Sequence, residues 1–264
     1  MSERFLLAEL TTDDVAGILG KPPCAAIVPV GSVEPHGPHL PLGTDTIISA
    51  EAARRAVIAL RAEGVGAWIA PSVPYGVTDF AEGFAGTVGV EASALTAFLA
   101  SIAQRLLAGG WSHVCFVNNH LEPAQDAAVR ASIASLPQGR GSVACPLTKR
   151  WGRTLSDEFK RGNCHAGRYE TSLVLAAGGE VRDHAALPSL DANLATGIRA
   201  GLTTFRAIGM DRAYTGAPSE ATRGEGEALY ARLAEMITIE VLESLASTAD
   251  GASAPGAARS TPGK

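Results

Sequence analysis

The 264-residue chain lacks several features that would have fixed its class at once. No apolar run approaches the roughly 20 residues that a membrane-spanning helix requires. The N-terminal stretch Met-Ser-Glu-Arg-Phe-Leu-Leu-Ala-Glu-Leu has no long apolar core, so no secretory signal is expected. Lys and Arg number 22 against 27 Asp and Glu, and no basic cluster occurs, which argues against nucleic acid or anionic membrane as partner. Cysteine is scarce: Cys24, Cys115, Cys145 and Cys164 form no C-x-x-C pair, and the first three fall in strand-like apolar runs. Buried reduced thiols are expected, and with them a cytoplasmic location. Charged residues make up only 19% against 46% hydrophobic, so the chain has ample material for a core.

What is present alternates between short apolar runs and helical periods. Thr11 or Thr12 caps a short helix through Leu19, with acids in its first turn. Cys24–Val30 is a continuous apolar run, as expected of a buried parallel strand. A helical period follows from Asp45 to about Glu63, then a short strand at 67–70 and a turn-rich stretch at 71–89. Residues 92–107 read as a helix, 114–117 as a strand, 123–136 as a helix with Pro123 in its first turn, and 142–145 as a strand. Helical patterns return at 170–177 and 225–245. The alternation predicts an α/β fold with a mainly parallel sheet covered by helices on both faces. Residues 1–247 are expected to form a single domain, and the Ala/Ser/Gly/Pro-rich 248–264 a disordered tail.

Two segments following predicted strands carry the chemistry. Gly31-Ser-Val-Glu-Pro-His-Gly-Pro-His-Leu-Pro-Leu-Gly-Thr-Asp45 holds Glu34, His36, His39 and Asp45, and its prolines exclude a helix. In extended backbone, residues i and i+2 point the same way, so Glu34 and His36 can reach one centre. His120 and Glu122 repeat that spacing after the second strand. Ligands of parallel sheets gather at the carboxyl ends of the strands, where both segments lie. Each residue alone has an ordinary explanation: Asp45 as a helix cap, Glu122 as an acid at a helix N-terminus, a single His as a structural group. Together they point to a divalent metal site and a metal-dependent hydrolase. Glu34, Asp45 and Glu122 supply three negative charges, so two dications leave +1, which one bound hydroxide neutralises. Mixed N/O ligation favours zinc, with manganese or iron as alternatives.

These residues resemble the creatininase (creatinine amidohydrolase) family, over roughly residues 5 to 245. The likeness extends to Pro74-Tyr-Gly-Val-Thr78, Gly83-Phe-Ala-Gly-Thr87, Asn118-Asn-His-Leu-Glu122, His165-Ala-Gly-Arg-Tyr-Glu-Thr-Ser172 and Gly216-Ala-Pro-Ser-Glu-Ala-Thr222. The resemblance implies a three-layer creatininase-like fold, two metal ions per subunit and a homo-oligomer, commonly a hexamer. It implies that Glu34 and His120 bind one metal, His36 and Glu122 the other, and that Asp45 bridges them. By the same likeness His165 shuttles a proton with Glu170 in support, while Thr78, Leu121 and Arg168 face a small-molecule substrate. The expected reaction is hydrolysis of a C–N bond in a cyclic amide or formamide by a hydroxide on the dinuclear centre.

Glu122 resembles the creatinine-hydrolysing branch, whereas Arg168 resembles the branch that trims mycofactocin precursor peptides. The alternatives are therefore a peptidase of that type, a ring-opening hydrolase for a polyol-derived compound, or a non-enzymatic metal scaffold. A scaffold has no use for the shuttle His165. A Cys164–His165 nucleophile pair is disfavoured because adjacent side chains rarely face each other. Asn118 and Asn119 are expected to serve loop backbone groups, one of them orienting His120. His113 and His184 are expected at the surface, and Arg223-Gly-Glu-Gly-Glu as a helix entry.

Overall fold

The computed structural model describes residues 4–251. Four parallel strands, β1 (Cys24–Val30), β2 (Gly66–Ile69), β3 (His113–Asn118) and β4 (Gly141–Ala144), form one sheet in the order β2-β1-β3-β4. The helices are α1 (Thr12–Leu19), α2 (Thr44–Ala62), α3 (Ala92–Ala108), α4 (Pro123–Ile133), α5 (Lys149–Gly152), α6 (Asp157–Arg161), α7 (Arg168–Ala177), α8 (Leu194–Arg199), α9 (Phe205–Ile208) and α10 (Arg223–Gly251).

Alternation along the central strands builds three layers. Ala25 and Ile27 of β1, with Cys115 and Val117 of β3, face a core completed by α2, α7 and α10. Val28, Val30, Val114 and Phe116 point the other way, against Leu95 and Leu99 of α3 and Val129 of α4. A smaller cluster stands apart from both: Ala81, Phe205, Met210 and Ala213, with Phe80, Phe84, Leu194 and Ile208 packed on it.

Most expected elements lie within a few residues of their predicted bounds. Thr11 caps α1 through a reciprocal capping box with Asp14. The short helices α5, α6, α8 and α9 were not anticipated, because four to six residues are too few to show a helical period. The expected boundary at 247 falls inside α10, which runs to Gly251; the rest of the expected tail, 252–264, lies outside the described residues. His113, expected at the surface, is fully buried in β3. Its ring lies 2.9 Å from the Gly139 carbonyl and 2.9 Å from the Ser142 hydroxyl, and burial lowers its pKa to about 4. A histidine at the start of a strand can pair inside the sheet, which the sequence pattern did not reveal. His184 is half-buried. All four cysteines are buried and unpaired. Among the described residues no helix is long and apolar enough to cross a membrane.

Candidate metal centre

The two central strands end side by side, and their loops deliver the predicted residues to one buried place. Gly31 follows β1 where α2 begins; a Cβ there would come within 2.6 Å of the Thr46 nitrogen, so glycine permits the close approach. That approach brings Asp45, in the first turn of α2, over the end of β1. Asp45 does not cap the helix, whose N-cap is Gly43. Its Oδ1 lies 3.2 Å from His36 Nε2 and its Oδ2 lies 3.1 Å from His120 Nδ1, while Ser32 donates to Oδ2 at 2.6 Å. Glu34 Oε1 is 3.2 Å from His120 Nδ1 and 3.8 Å from His36 Nε2. Glu170, on α7, reaches within 3.6 Å of His36 Nε2 and accepts from the Ala166 N–H at 2.7 Å.

Each of three imidazoles has one ring nitrogen against a main-chain carbonyl and the other turned to the carboxylates. His36 Nδ1 lies 3.1 Å from the Glu34 carbonyl, His120 Nε2 lies 2.6 Å from that of Val77, and His165 Nε2 lies 3.0 Å from that of Pro35. Donation to those carbonyls fixes the tautomer and leaves His36 Nε2, His120 Nδ1 and His165 Nδ1 free to act on the cluster. Gln125, buried on α4, accepts from the Val77 N–H at 2.9 Å and so steadies the carbonyl that orients His120. Asn118 donates to the His120 carbonyl at 3.0 Å, and Asn119 donates to Ser49.

Among the described residues, three overlapping groups could each hold a cation: Glu34, His120 and Glu122; His36, Asp45 and Glu170; and Glu34, His36 and His165. The grouping differs from the one the resemblance implies. Glu122 stands with Glu34 and His120 rather than with His36, and Glu170 takes the place beside His36. Glu122 is the N-cap residue of α4, yet its carboxylate accepts from the N–H groups of Asp79 and Phe80, which pull it away from the helix end.

The electrostatics fit divalent cations. Glu34 Oε2 is buried with no hydrogen-bond partner, an atom that a cation would satisfy. Burial opposes charge on His36, but Asp45, Glu170 and Glu34 outweigh it and raise its pKa to about 10. Burial likewise opposes charge on His120, and Glu34 and Asp45 push it well up. Asp45 is held well below its usual range, its burial outweighed by the same two imidazoles. The carboxylates thus demand positive charge at two nitrogen positions, a demand that metal ions meet with neutral rings. His165 behaves oppositely: burial and the charge of His36 lower it to about 4. Burial raises Glu122 to about 7 and Glu170 to about 8.

Above the cluster lies a cavity lined by Phe80, Leu121, Leu194, Ile198 and Phe205, with Cys164 and His165 at one side. Leu121 is thus where a substrate residue was expected, but Thr78 and Arg168 are not. Thr78 is buried outside the cavity lining, its hydroxyl where a Cβ on Gly89 would press. Arg168 pairs with Glu220 at 3.1 Å and Glu225 at 3.2 Å, in a separate groove. Burial pushes the Cys164 thiol up, which leaves it a poor nucleophile.

Glu158 was not singled out from the sequence. Its buried carboxylate accepts from Tyr169 N–H and Ala217 N–H, both at 2.7 Å, and so ties the start of α7 to the loop whose Thr215 N–H bonds the His165 carbonyl. Gly167 and Gly216 leave it room: a Cβ at either would press on its carboxylate. No spacing in the sequence links residue 158 to those glycines.

A family profile for creatininase (creatinine amidohydrolase) matches residues 8–241. The mycofactocin precursor peptide peptidase of Mycobacterium tuberculosis (strain CDC 1551 / Oshkosh) is 32% identical over 223 residues, covering 79% of this chain and 81% of that protein. The creatinine amidohydrolase of Pseudomonas putida is 26% identical over 127 residues, 46% of this chain and 47% of that one. A solved structure described as creatininase Mn superposes with a TM-score of 0.71 at 19% identity, covering 92% of this chain and 99% of that chain.

Proposed function

The chain belongs to the creatininase family and is a metal-dependent hydrolase, and from that premise we propose that it cleaves a C–N amide bond at a centre of two divalent cations. One position is assigned to Glu34, Asp45 and His120, the other to His36, Asp45 and Glu170. The two Asp45 oxygens face different imidazoles, which supports a bridging role. Zinc suits this N/O set best, with manganese or iron as alternatives. When bound, such ions polarise a carbonyl and acidify water.

The chain's own groups supply the rest. Glu122, at the Glu34–His120 side, receives the proton of the attacking water. His165 Nδ1, 3.9 Å from Glu34 Oε1, takes on the proton that Glu122 received from water and hands it to the departing nitrogen, which would otherwise leave as an unstable amide anion. The apolar cover excludes bulk water from the transfer.

The peptidase relative, matched over four-fifths of its length, supports a peptide-type amide as substrate. A cyclic amide or formamide is the second reading, supported by the amidohydrolase matched over about half of the chain. Family resemblance supports a homo-oligomer, for which the exposed Tyr75 and Phe98 offer apolar surface.

The observation that carries this reading is the set of three imidazoles turned by main-chain carbonyls onto four buried carboxylates. Elemental analysis of protein purified without chelator should give about two metals per chain, and His120→Ala should lose metal. The loaded enzyme should hydrolyse capped dipeptide amides. Single occupancy in excess zinc would count against the centre, and an inert loaded protein against the reaction.

A further inference from the structure

The cavity above the cluster is chemically one-sided. Its floor is carboxylate and imidazole, its walls are Phe80, Leu121, Leu194, Ile198 and Phe205, and among the described residues no lysine or arginine lines it. Two basic side chains on neighbouring helices are engaged elsewhere. Arg168 is paired with Glu220 and Glu225, and Arg206, next to Phe205 in sequence, lies over the Phe84 ring at 4.5 Å from its centre.

Charge counting points the same way. Glu34, Asp45, Glu122 and Glu170 carry four negative charges when ionised, and two dications carry four positive charges. The count made from the sequence omitted Glu170 and left +1; with Glu170 included, no positive excess remains to attract an anion. An anionic group entering here would lose its hydration and meet neither a cation nor a hydrogen-bond donor from the wall. An apolar group would release water from both surfaces.

The wall also touches the proton carrier. The Phe205 ring stacks on His165 with centres 4.3 Å apart. An amide whose nitrogen meets His165 therefore presents its flanking group to Phe205 and its neighbours. Resting on the dinuclear amidohydrolase reading above, we propose that the substrate carries an uncharged apolar group, aliphatic or aromatic, beside the scissile amide. Phe205, Leu121 and Ile198 form its subsite and determine specificity.

Three hydroxamic acids that share one metal-binding head can test this by calorimetric titration of the metal-loaded protein. Phenylacetohydroxamic acid should bind at least about tenfold more tightly than acetohydroxamic acid, and the anionic monohydroxamate of succinic acid should bind more weakly than either. Ile198→Lys, which places a cation in the wall, should favour the succinic compound and weaken the phenyl one. Equal binding of all three, or tightest binding of the succinic compound to the unaltered protein, overturns the apolar subsite while the metal centre stands. If none of the three binds, the dinuclear reading fails and the subsite falls with it.

Discussion

His165 lies between two rings, His36 at 4.6 Å and Phe205 at 4.3 Å between centres. With Nε2 committed to the Pro35 carbonyl, Nδ1 alone can act, and its lowered pKa makes it neutral at pH 7. A neutral ring can take a proton and pass it on. His165→Ala should therefore keep both metals by elemental analysis and lose roughly 10²–10⁴-fold in kcat. Loss of metal in that variant would instead make His165 a ligand, as its grouping with Glu34 and His36 permits. Single residues differed in how legible they were. Glu34, His36 and Asp45 share one short segment, and His120 repeats its spacing after a strand, so local pattern was enough. Arg168 and Glu170 were harder because they sit on a helix, where two positions turn about 200°. Glu170 faces the cluster, so Arg168 faces away from it. Glu158, Gln125 and Phe205 reach the site only through tertiary packing, which leaves no local signature.

The cover of the site consists of α8, α9 and the loops around them, and these pack mainly in their own small cluster rather than in either main core. Asn193 and Thr204 cap the two helices, but with six and four residues neither has enough internal hydrogen bonds to hold itself. The cavity beneath offers only ≈ 20 Å³ of free volume, about the space of one water molecule. A substrate must displace the cover to enter. Amides of α8 and α9 should therefore exchange hydrogen much faster than those of α2 and β3 at neutral pH. Equal protection would mean that the cover is fixed and that entry lies elsewhere. At this scale the long elements were readable because buried strands are unbroken apolar runs and long helices show their period. The cover was not, since its pieces are shorter than the pattern that would reveal them.

The whole molecule should be sensitive to mild acid. His113, inside the sheet between the Gly139 carbonyl and Ser142, has its pKa lowered from 6.5 to about 4 by burial. His39, 2.9 Å from the Thr171 hydroxyl, is lowered to about 4 by burial and by the neighbouring His184. Because these folded pKa values lie below the unfolded one, the unfolded chain takes up protons first as pH falls. Stability is therefore full above about pH 6.5 and is lost as pH falls toward 4. For His113 alone the loss between pH 7 and pH 5 is on the order of 2 kcal/mol. Urea unfolding at the two pH values should show it, and His113→Gln should flatten the dependence. An unchanged midpoint at pH 5 would mean that His113 is not held neutral in the folded protein. The three-layer fold itself was legible in the alternation of strands and helices, whereas the burial of His113 depends on a neighbouring strand.

The hydrogen bond from the His165 ring to the Pro35 carbonyl spans 130 residues. A ribosome making this chain releases Glu34, His36 and Asp45 long before Glu170, and the cover comes later still. The first cation position lacks its imidazole until His120 is made and the second lacks a carboxylate until Glu170 is made, so metal taken up too soon would be loosely held and open to water. The order of synthesis thus delays a working centre until most of the chain is available to enclose it.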